Sequence, residues 1–275
     1  MNIKFLLTLC FCLGLGFQAF SQGDLLITPT RVIFEGNKQR QEINLVNIGH
    51  DSAIYSISFI QYTMKEDGSF VRVEKPDSGE MFADPFLRVF PRKVILAPGE
   101  AQVVMLQCRR NPDMPAGEYR SHLYFRSEKE YEPLSAKTQD ATTSISVQLT
   151  PVYGMAIPVI IRMGTVSVTS VLSDLTLGKT TDSGQFLTLS INRTGNISAY
   201  GDILIDFVPV KGKSFQVAEV KGIGVYTSIS KRQIRIKLNN PAGTTMTDGI
   251  LKVKYISNGE TKKVVYAEAE LDIKK

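Results

Sequence analysis

Between positions 145 and 161 every second residue is apolar or proline: Ile145, Val147, Leu149, Pro151, Tyr153, Met155, Ile157, Val159 and Ile161. A side-chain repeat of two belongs to extended backbone, where successive side chains point to opposite faces. The intervening positions begin polar, with Ser144, Ser146, Gln148 and Thr150, and turn apolar later with Val152, Ala156 and Ile160. The first part therefore has one apolar face and the later part has two. Strands average about five or six residues. An alternation this long predicts one long strand, or two joined at Pro151 or Gly154, with a buried far end and a near end that shows an apolar stripe.

The rest of the chain repeats this pattern in shorter pieces. Strands are predicted over 25–34, 41–47, 53–62, 86–90, 93–96, 101–108 and 117–126, with turns at Glu66-Asp67-Gly68, Pro98-Gly99-Glu100 and Pro115-Ala116-Gly117. Residues 128–143 are polar and read as an exposed loop. Met163-Gly164-Thr165 reads as a hinge. Beyond it, strands are predicted over 166–172, 186–193, 201–210, 215–220, 224–228, 233–238, 249–257 and 262–273, with an Asn258-Gly259 hairpin signal near the end. No amphipathic helical run of ten residues stands out. Short strands at this spacing predict sandwiches rather than alternating strands and helices. The expected fold is all-β, with two immunoglobulin-like β-sandwich domains: an N-terminal one over 22–163 and a C-terminal one over 164–275.

The start of the chain bears on compartment. A short basic opening with Lys4, an apolar run from Phe5 to Phe17 and small residues at Ala19 and Ser21 form the pattern of a cleaved secretory signal peptide over 1–21, too short to span a membrane. Export would leave Cys108 as the one cysteine of the original three, so no internal disulfide is expected. Cys108 alternates with Val104 and Leu106 and reads as a small buried hydrophobe. The net charge of +5 is not gathered into a Lys/Arg stripe with interleaved aromatics, so no nucleic-acid partner is expected.

Several segments together resemble the periplasmic pilus (fimbrial) assembly chaperones. Thr30-Arg31-Val32-Ile33-Phe34 followed by Gly36-Asn37-Lys38-Gln39 is similar to the opening motif of that family, and Asn44-Leu45-Val46-Asn47 to the strand after it. Residues 90–102, with Leu96-Ala97-Pro98-Gly99-Glu100-Ala101-Gln102, resemble its Leu-x-Pro-Gly-x-x-Gln segment. Gly117 to Phe125 stands where the family has an Arg-Glu-Ser-Leu-Phe-Trp strand, and the long alternating strand follows in the same order. The resemblance runs from about residue 25 to 162; the second half matches in length and β character only.

The resemblance implies two sandwiches set in an L, a periplasmic location and a binding role. Members of the family cap newly exported fimbrial or pilin-like subunits. Each client is a sandwich lacking one strand, and the chaperone lends a strand of its own, so that backbone groups pair while alternate side chains fill the client's open core. An outer-membrane assembly pore is a further partner of this kind of protein. Carried over residue by residue, Arg31 matches the arginine that holds the client's terminal carboxylate, a task suited to a guanidinium's paired N–H groups. Ile145, Val147 and Leu149 match the donor stripe, and Tyr153 and Met155 extend it. The family also places a lysine in the long strand. Gly154 or Pro158 stands there in this chain, and Arg162 is the nearest cation on that strand.

Catalytic and metal-binding patterns are sparse. His50 and His122 are the two histidines. His50 sits in a turn-like Gly49-His50-Asp51-Ser52 stretch. No spacing of His or Cys suits a metal, and Asp67 and Asp182 read as turn formers. No cofactor, small-molecule substrate or enzymatic activity is expected. Two other readings fit the β pattern: a structural immunoglobulin-like subunit or adhesin of an envelope assembly, and an enzyme or sugar-binding sandwich. The absence of tryptophan speaks against the latter.

Overall fold

The computed structural model describes residues 25–75, 77, 80–128, 152–179, 184–239, 246, 248–258 and 263–274. They form strands throughout, with one single-turn 3₁₀ helix at Asp84–Phe86. The first ten strands are β1 (Leu25–Thr28), β2 (Val32–Phe34), β3 (Arg40–Asn47), β4 (Ala53–Met64), β5 (Phe70–Val73), β6 (Leu87–Phe90), β7 (Lys93–Leu96), β8 (Ala101–Cys108), β9 (Gly117–Glu128) and β10 (Gly154–Met163). They make two sheets, ordered β1-β3-β8-β6 and β2-β10-β9-β4-β5, with β7 also paired to β4. Alternate residues of each sheet turn inward. Ile43, Leu45, Val104 and Leu106 from one meet Phe34, Leu123, Phe125 and Val159 from the other in a single core. Burying each such side chain contributes about 1.5–3 kcal/mol.

The remaining strands are β11 (Val168–Leu177), β12 (Gln185–Gly195), β13 (Ala199–Pro209), β14 (Phe215–Val225), β15 (Lys231–Leu238), β16 (Gly249–Ser257) and β17 (Val265–Ile273). Their sheets are β11-β12-β15 and β14-β13-β16-β17. Leu187, Leu189 and Ile191 pack against Ile203, Ile205, Phe207 and Val253 in a second, separate core. The expected all-β, two-sandwich architecture is present.

Three local readings differ from the sequence expectation. The strand expected over 25–34 is two strands in different sheets: β1 pairs antiparallel with β3, and β2 pairs parallel with β10. Pro29 lies at the crossing and has no N–H to give a ladder. Arg31 is thereby carried to the crossing point. The strands expected over 215–220 and 224–228 merge into one bulged strand, β14, which ends at Val225 and whose register shifts opposite β13, while 226–228 form a turn. β5 was not expected. Its four residues are exposed or half-exposed on both faces and so carry no alternation for periodicity to detect.

Other expectations hold. The Asp67-Gly68 turn closes the β4–β5 hairpin, with Asp67 accepting hydrogen bonds from the Ser69 N–H at 2.8 Å and Oγ–H at 2.6 Å. Asn47, fully buried, donates to the Leu96 and Asp51 carbonyls at 3.0 and 2.8 Å and accepts from the Gly49 N–H. It thus fastens the turn that contains His50. Cys108 is buried, and burial pushes its thiol pKa up, which leaves it without reactive thiolate character.

The sandwiches are fastened to one another. Gly164, between them, has a left-handed backbone (φ 63°), and a Cβ there would lie 2.8 Å from that of Ala116. Only glycine fits both demands. The β4–β5 hairpin reaches across: the Glu66 carbonyl accepts from the Gln233 N–H at 2.7 Å, the Ser228 Oγ accepts from the Met64 N–H at 3.3 Å, and the Phe70 ring lies 5.4 Å from that of Tyr226.

Candidate functional site

Two features lie side by side along β10: an unpaired strand edge and a knot of arginines in the seam between the sandwiches.

The edge follows from unequal strand lengths. β9 pairs β10 along its whole length, from Gly154 to Met163. β2, on the other side, has three residues and pairs only with Val159, Ile160 and Ile161. Gly154 to Pro158 therefore have no strand on that side among the described residues. A proline within a strand is tolerated where its missing N–H faces an open edge, and Pro158 stands at the last open position. Met155 packs, half-buried, against the first core. Tyr153 is 45% exposed. Its N–H donates to the Ser127 Oγ at 3.0 Å and its carbonyl accepts from the Ser127 N–H at 2.8 Å. Ile145, Val147 and Leu149 lie outside the described residues.

The arginine knot is built on β9. Glu118, Arg120 and His122 alternate with Tyr119, Ser121 and Leu123. The second set faces the core side of its sheet, and the first set faces the second sandwich. Both faces are buried: Glu118 is 1% exposed and Arg120 7%. Arg120 Nη2 lies 2.5 Å from Glu118 Oε1 and donates to Ser198 Oγ at 2.7 Å. The Ser198 Oγ–H and N–H donate to Glu118 Oε2 at 2.9 and 3.2 Å. Burial pushes the Glu118 carboxyl pKa up, but the adjacent Arg120 outweighs it, and the group is held below the usual carboxylate range. Arg162, on β10, approaches Glu118 Oε2 at 3.6 Å through Nε, close enough for attraction but too far for a hydrogen bond.

Arg31 completes the knot. Its guanidinium carbon stands 4.0 Å from the centroid of the Tyr200 ring, as that of Arg120 stands 3.7 Å over Tyr226. Burial, and then the neighbouring Arg120 charge, lower the Arg31 pKa. Three guanidiniums thus face one buried carboxylate. The exposed Glu35, 3.6 Å from Arg162, screens only the rim. Arg31 Nε, Arg120 Nε and Nη1 and Arg162 Nε are buried without a hydrogen-bond partner. Buried donors are rarely left so, and charged donors of this kind form strong hydrogen bonds to anionic oxygens. Arg193, nearby, is saturated instead: it donates to the carbonyls of Gly195, Ile197 and Ile229 and shapes the loop that delivers Ser198.

Of the residues expected from sequence, Arg31 lies in this seam and Met155 and Tyr153 at the open end of β10. Arg120, on the neighbouring strand, lies in the seam with Arg31, and Arg162 stands beside them at the end of β10. Glu118, Arg120, Ser198, Tyr200 and Tyr226 were missed. Their spacing gave no distinct signal: Glu118 and Arg120 occupy alternate positions of one strand, as the exposed pair Glu219 and Lys221 does on β14. Among the described residues no group of three or more His, Cys, Asp or Glu suits a metal ion, and no helix is long and apolar enough to cross a membrane.

His122 gives the seam a pH dependence. It is 5% exposed, edge-on to Tyr62 at 5.1 Å and stacked with Tyr226 at 6.3 Å. Burial and then the Arg120 charge push its pKa down to about 4. The unfolded chain binds this proton near the ordinary value of 6.5, so stability is full above pH 6.5 and is lost as the pH falls toward 4. At pH 5 the expected loss is about 2 kcal/mol relative to pH 7.5. Urea unfolding at the two pH values measures it. His122→Phe, which needs no partner for Nδ1, is expected to remove that share of the slope, and an unchanged slope counts against the assignment.

No protein-family model matches the sequence, and no curated protein does. Among solved structures the chain is similar to the YadV chaperone (12% identity over 91% of this chain and 100% of that one, TM-score 0.46). It is also similar to the class 5 fimbriae chaperone CfaA (15%, 91% and 99%, TM-score 0.46) and to the CupB2 chaperone of Pseudomonas aeruginosa (12%, 91% and 100%, TM-score 0.43).

Proposed function

We propose that this chain is a periplasmic chaperone that caps fimbrial or pilin-like subunits, lending the open edge of β10 and the alternating stretch before it to complete the client's sheet. The client's terminal carboxylate enters the seam and is held by Arg31, with Arg120 and Arg162 adding to the field. Ile145, Val147 and Leu149 enter the client's core, and Tyr153 and Met155 mark where the shared ladder passes into the chain's own sheet.

The observation that supports this reading most is the adjacency of the two features: a half-paired strand ends beside buried guanidinium donors that lack partners. A strand edge offers affinity through backbone pairing and invites any extended chain. A carboxylate site at one end of it fixes the register of the incoming strand. No bond is made or broken, and the energy comes from apolar burial and hydrogen bonding.

Arg31 tests the anchor. Hydrogen bonds to charged groups contribute about 1.5–3 kcal/mol, so Arg31→Ala is expected to weaken binding of a co-expressed client subunit by about ten- to a hundredfold. Arg31→Lys keeps the charge but loses the planar fork and is expected to fall between. Titration calorimetry with the purified subunit reads both. Equal affinity for all three proteins removes Arg31 from the anchor.

A further inference from the structure

The carboxylate anchor is assembled on the first sandwich, yet both of its central guanidiniums lie against rings of the second. Tyr200 is the second residue of β13, and Tyr226 follows the last residue of β14. The two strands pair so that Tyr200 stands opposite Gly224. A Cβ on Gly224 would lie 3.4 Å from the Tyr226 ring and 3.5 Å from the Tyr200 ring, so the two rings flank a residue with no side chain and present neighbouring faces to the seam. Arg31 sits over one at 4.0 Å and Arg120 over the other at 3.7 Å.

An arginine stacked on a ring has its plane set by that ring, with its N–H groups left at the edges. The edges are where donors remain unused: Nε of Arg31, and Nε and Nη1 of Arg120. Arg120 is held at one nitrogen, Nη2, by Glu118 and Ser198, and no hydrogen bond holds Arg31 Nε. Two like charges close together repel, and the Arg31 pKa is lowered by burial first and then by that Arg120 charge. The negative faces of the rings offset part of it.

We infer that Tyr200 and Tyr226 are positioning residues of the carboxylate anchor, through which the second sandwich orients Arg31 and Arg120 toward one incoming carboxylate. This rests on the carboxylate reading given above. It assigns the second sandwich a part in client selection: the free carboxylate is read by a seam that exists only while both sandwiches are in contact.

The test uses the full mature chain labelled with ¹⁵N at arginine, with the Arg31 and Arg120 Nε–H signals assigned through Arg31→Lys and Arg120→Lys. Sodium acetate is the probe, sodium chloride at equal ionic strength and acetamide are the controls, and amide spectra report whether the second sandwich is intact. In the unaltered protein both signals are expected to move saturably with acetate and not with acetamide. Tyr200→Leu and Tyr226→Leu are expected to lower the preference for acetate over chloride by about fivefold or more, the range of a partly desolvated cation–π contact. Tyr200→Phe and Tyr226→Phe keep the ring faces and are expected to stay within about twofold of the unaltered protein. Loss of ring orientation leaves every charge in place, so a purely structural role does not move that preference in the Leu variants and restore it in the Phe variants. If the unaltered protein responds to acetate and the Leu variants respond equally, the positioning role is wrong and the anchor stands. The same holds if the Phe variants lose the preference as the Leu variants do. If the unaltered protein shows no specific response to acetate, the carboxylate reading itself fails and this inference with it.

Discussion

Glu118→Ala is expected to destabilise the protein by about 3–5 kcal/mol, the cost of leaving a buried cation without its partner. Arg120 is 7% exposed and, among the described residues, its one charged hydrogen-bond partner is Glu118, at 2.5 Å. Removing that carboxylate leaves three guanidiniums to repel one another in a seam that also depends on Glu118 for the Ser198 N–H and Oγ–H. The sandwiches lose the Glu118–Ser198 hydrogen bonds between them and Arg120 its charge balance in a single step. Urea unfolding followed by tyrosine emission measures the effect, since the chain has no tryptophan. Replacing both partners, Glu118→Leu with Arg120→Met, is expected to recover much of the loss, because apolar residues of similar volume do not carry the desolvation cost of the pair. A loss below about 1 kcal/mol for the single variant, the range of an exposed pair, means that the seam is open to water in solution.

The largest effect on binding is expected from the stripe that precedes β10. Val147→Asp with Leu149→Asp places two carboxylates where two apolar side chains are proposed to enter a client core. Each such side chain contributes about 1.5–3 kcal/mol on burial, so the pair is expected to weaken client binding by about a hundredfold to ten-thousandfold. The same pair is expected to shift the stability of the isolated chain by less than about 0.5 kcal/mol, as for surface substitutions. Co-purification with a co-expressed subunit and a parallel unfolding curve separate the two. Intact capture by the double variant rules out donation from these positions. A collapse of stability shows instead that they belong to the chain's own core.

These two outcomes depend on different kinds of sequence information. The two-sandwich fold was legible because a strand with one buried face declares itself locally: Ile43 and Leu45, or Val104 and Leu106, alternate with polar neighbours. The turns at Gly68 and Gly99 are equally local. Arg31 stood out in the sequence only because the motif around it resembles a known family; nothing in its own spacing marks it as buried. The seam was not legible. Ser198 meets Glu118 across 80 residues of sequence and Arg120 across 78, and Tyr200 and Tyr226 reach their arginines from a different sandwich. Such contacts are set by how the sandwiches dock, and alternation along a strand encodes no docking. The same gap hides Arg120, which stands opposite Ile160 of the long strand only through strand pairing. β5 was lost for the opposite reason: it is a short strand exposed on both faces, fixed by its hairpin partner and by contact with the second sandwich.

Amide hydrogen exchange along β10 tests strand donation most directly, comparing the free chain with its purified one-to-one complex with a co-expressed fimbrial subunit. The N–H groups of Gly154 and Ala156, together with those of 145–149, are expected to exchange fast in the free chain and to slow by orders of magnitude in the complex, while those of Val159 and Ile161, already paired on both sides, stay slow throughout. A stable complex in which Gly154, Ala156 and the 145–149 stretch exchange as fast as in the free chain contradicts strand donation.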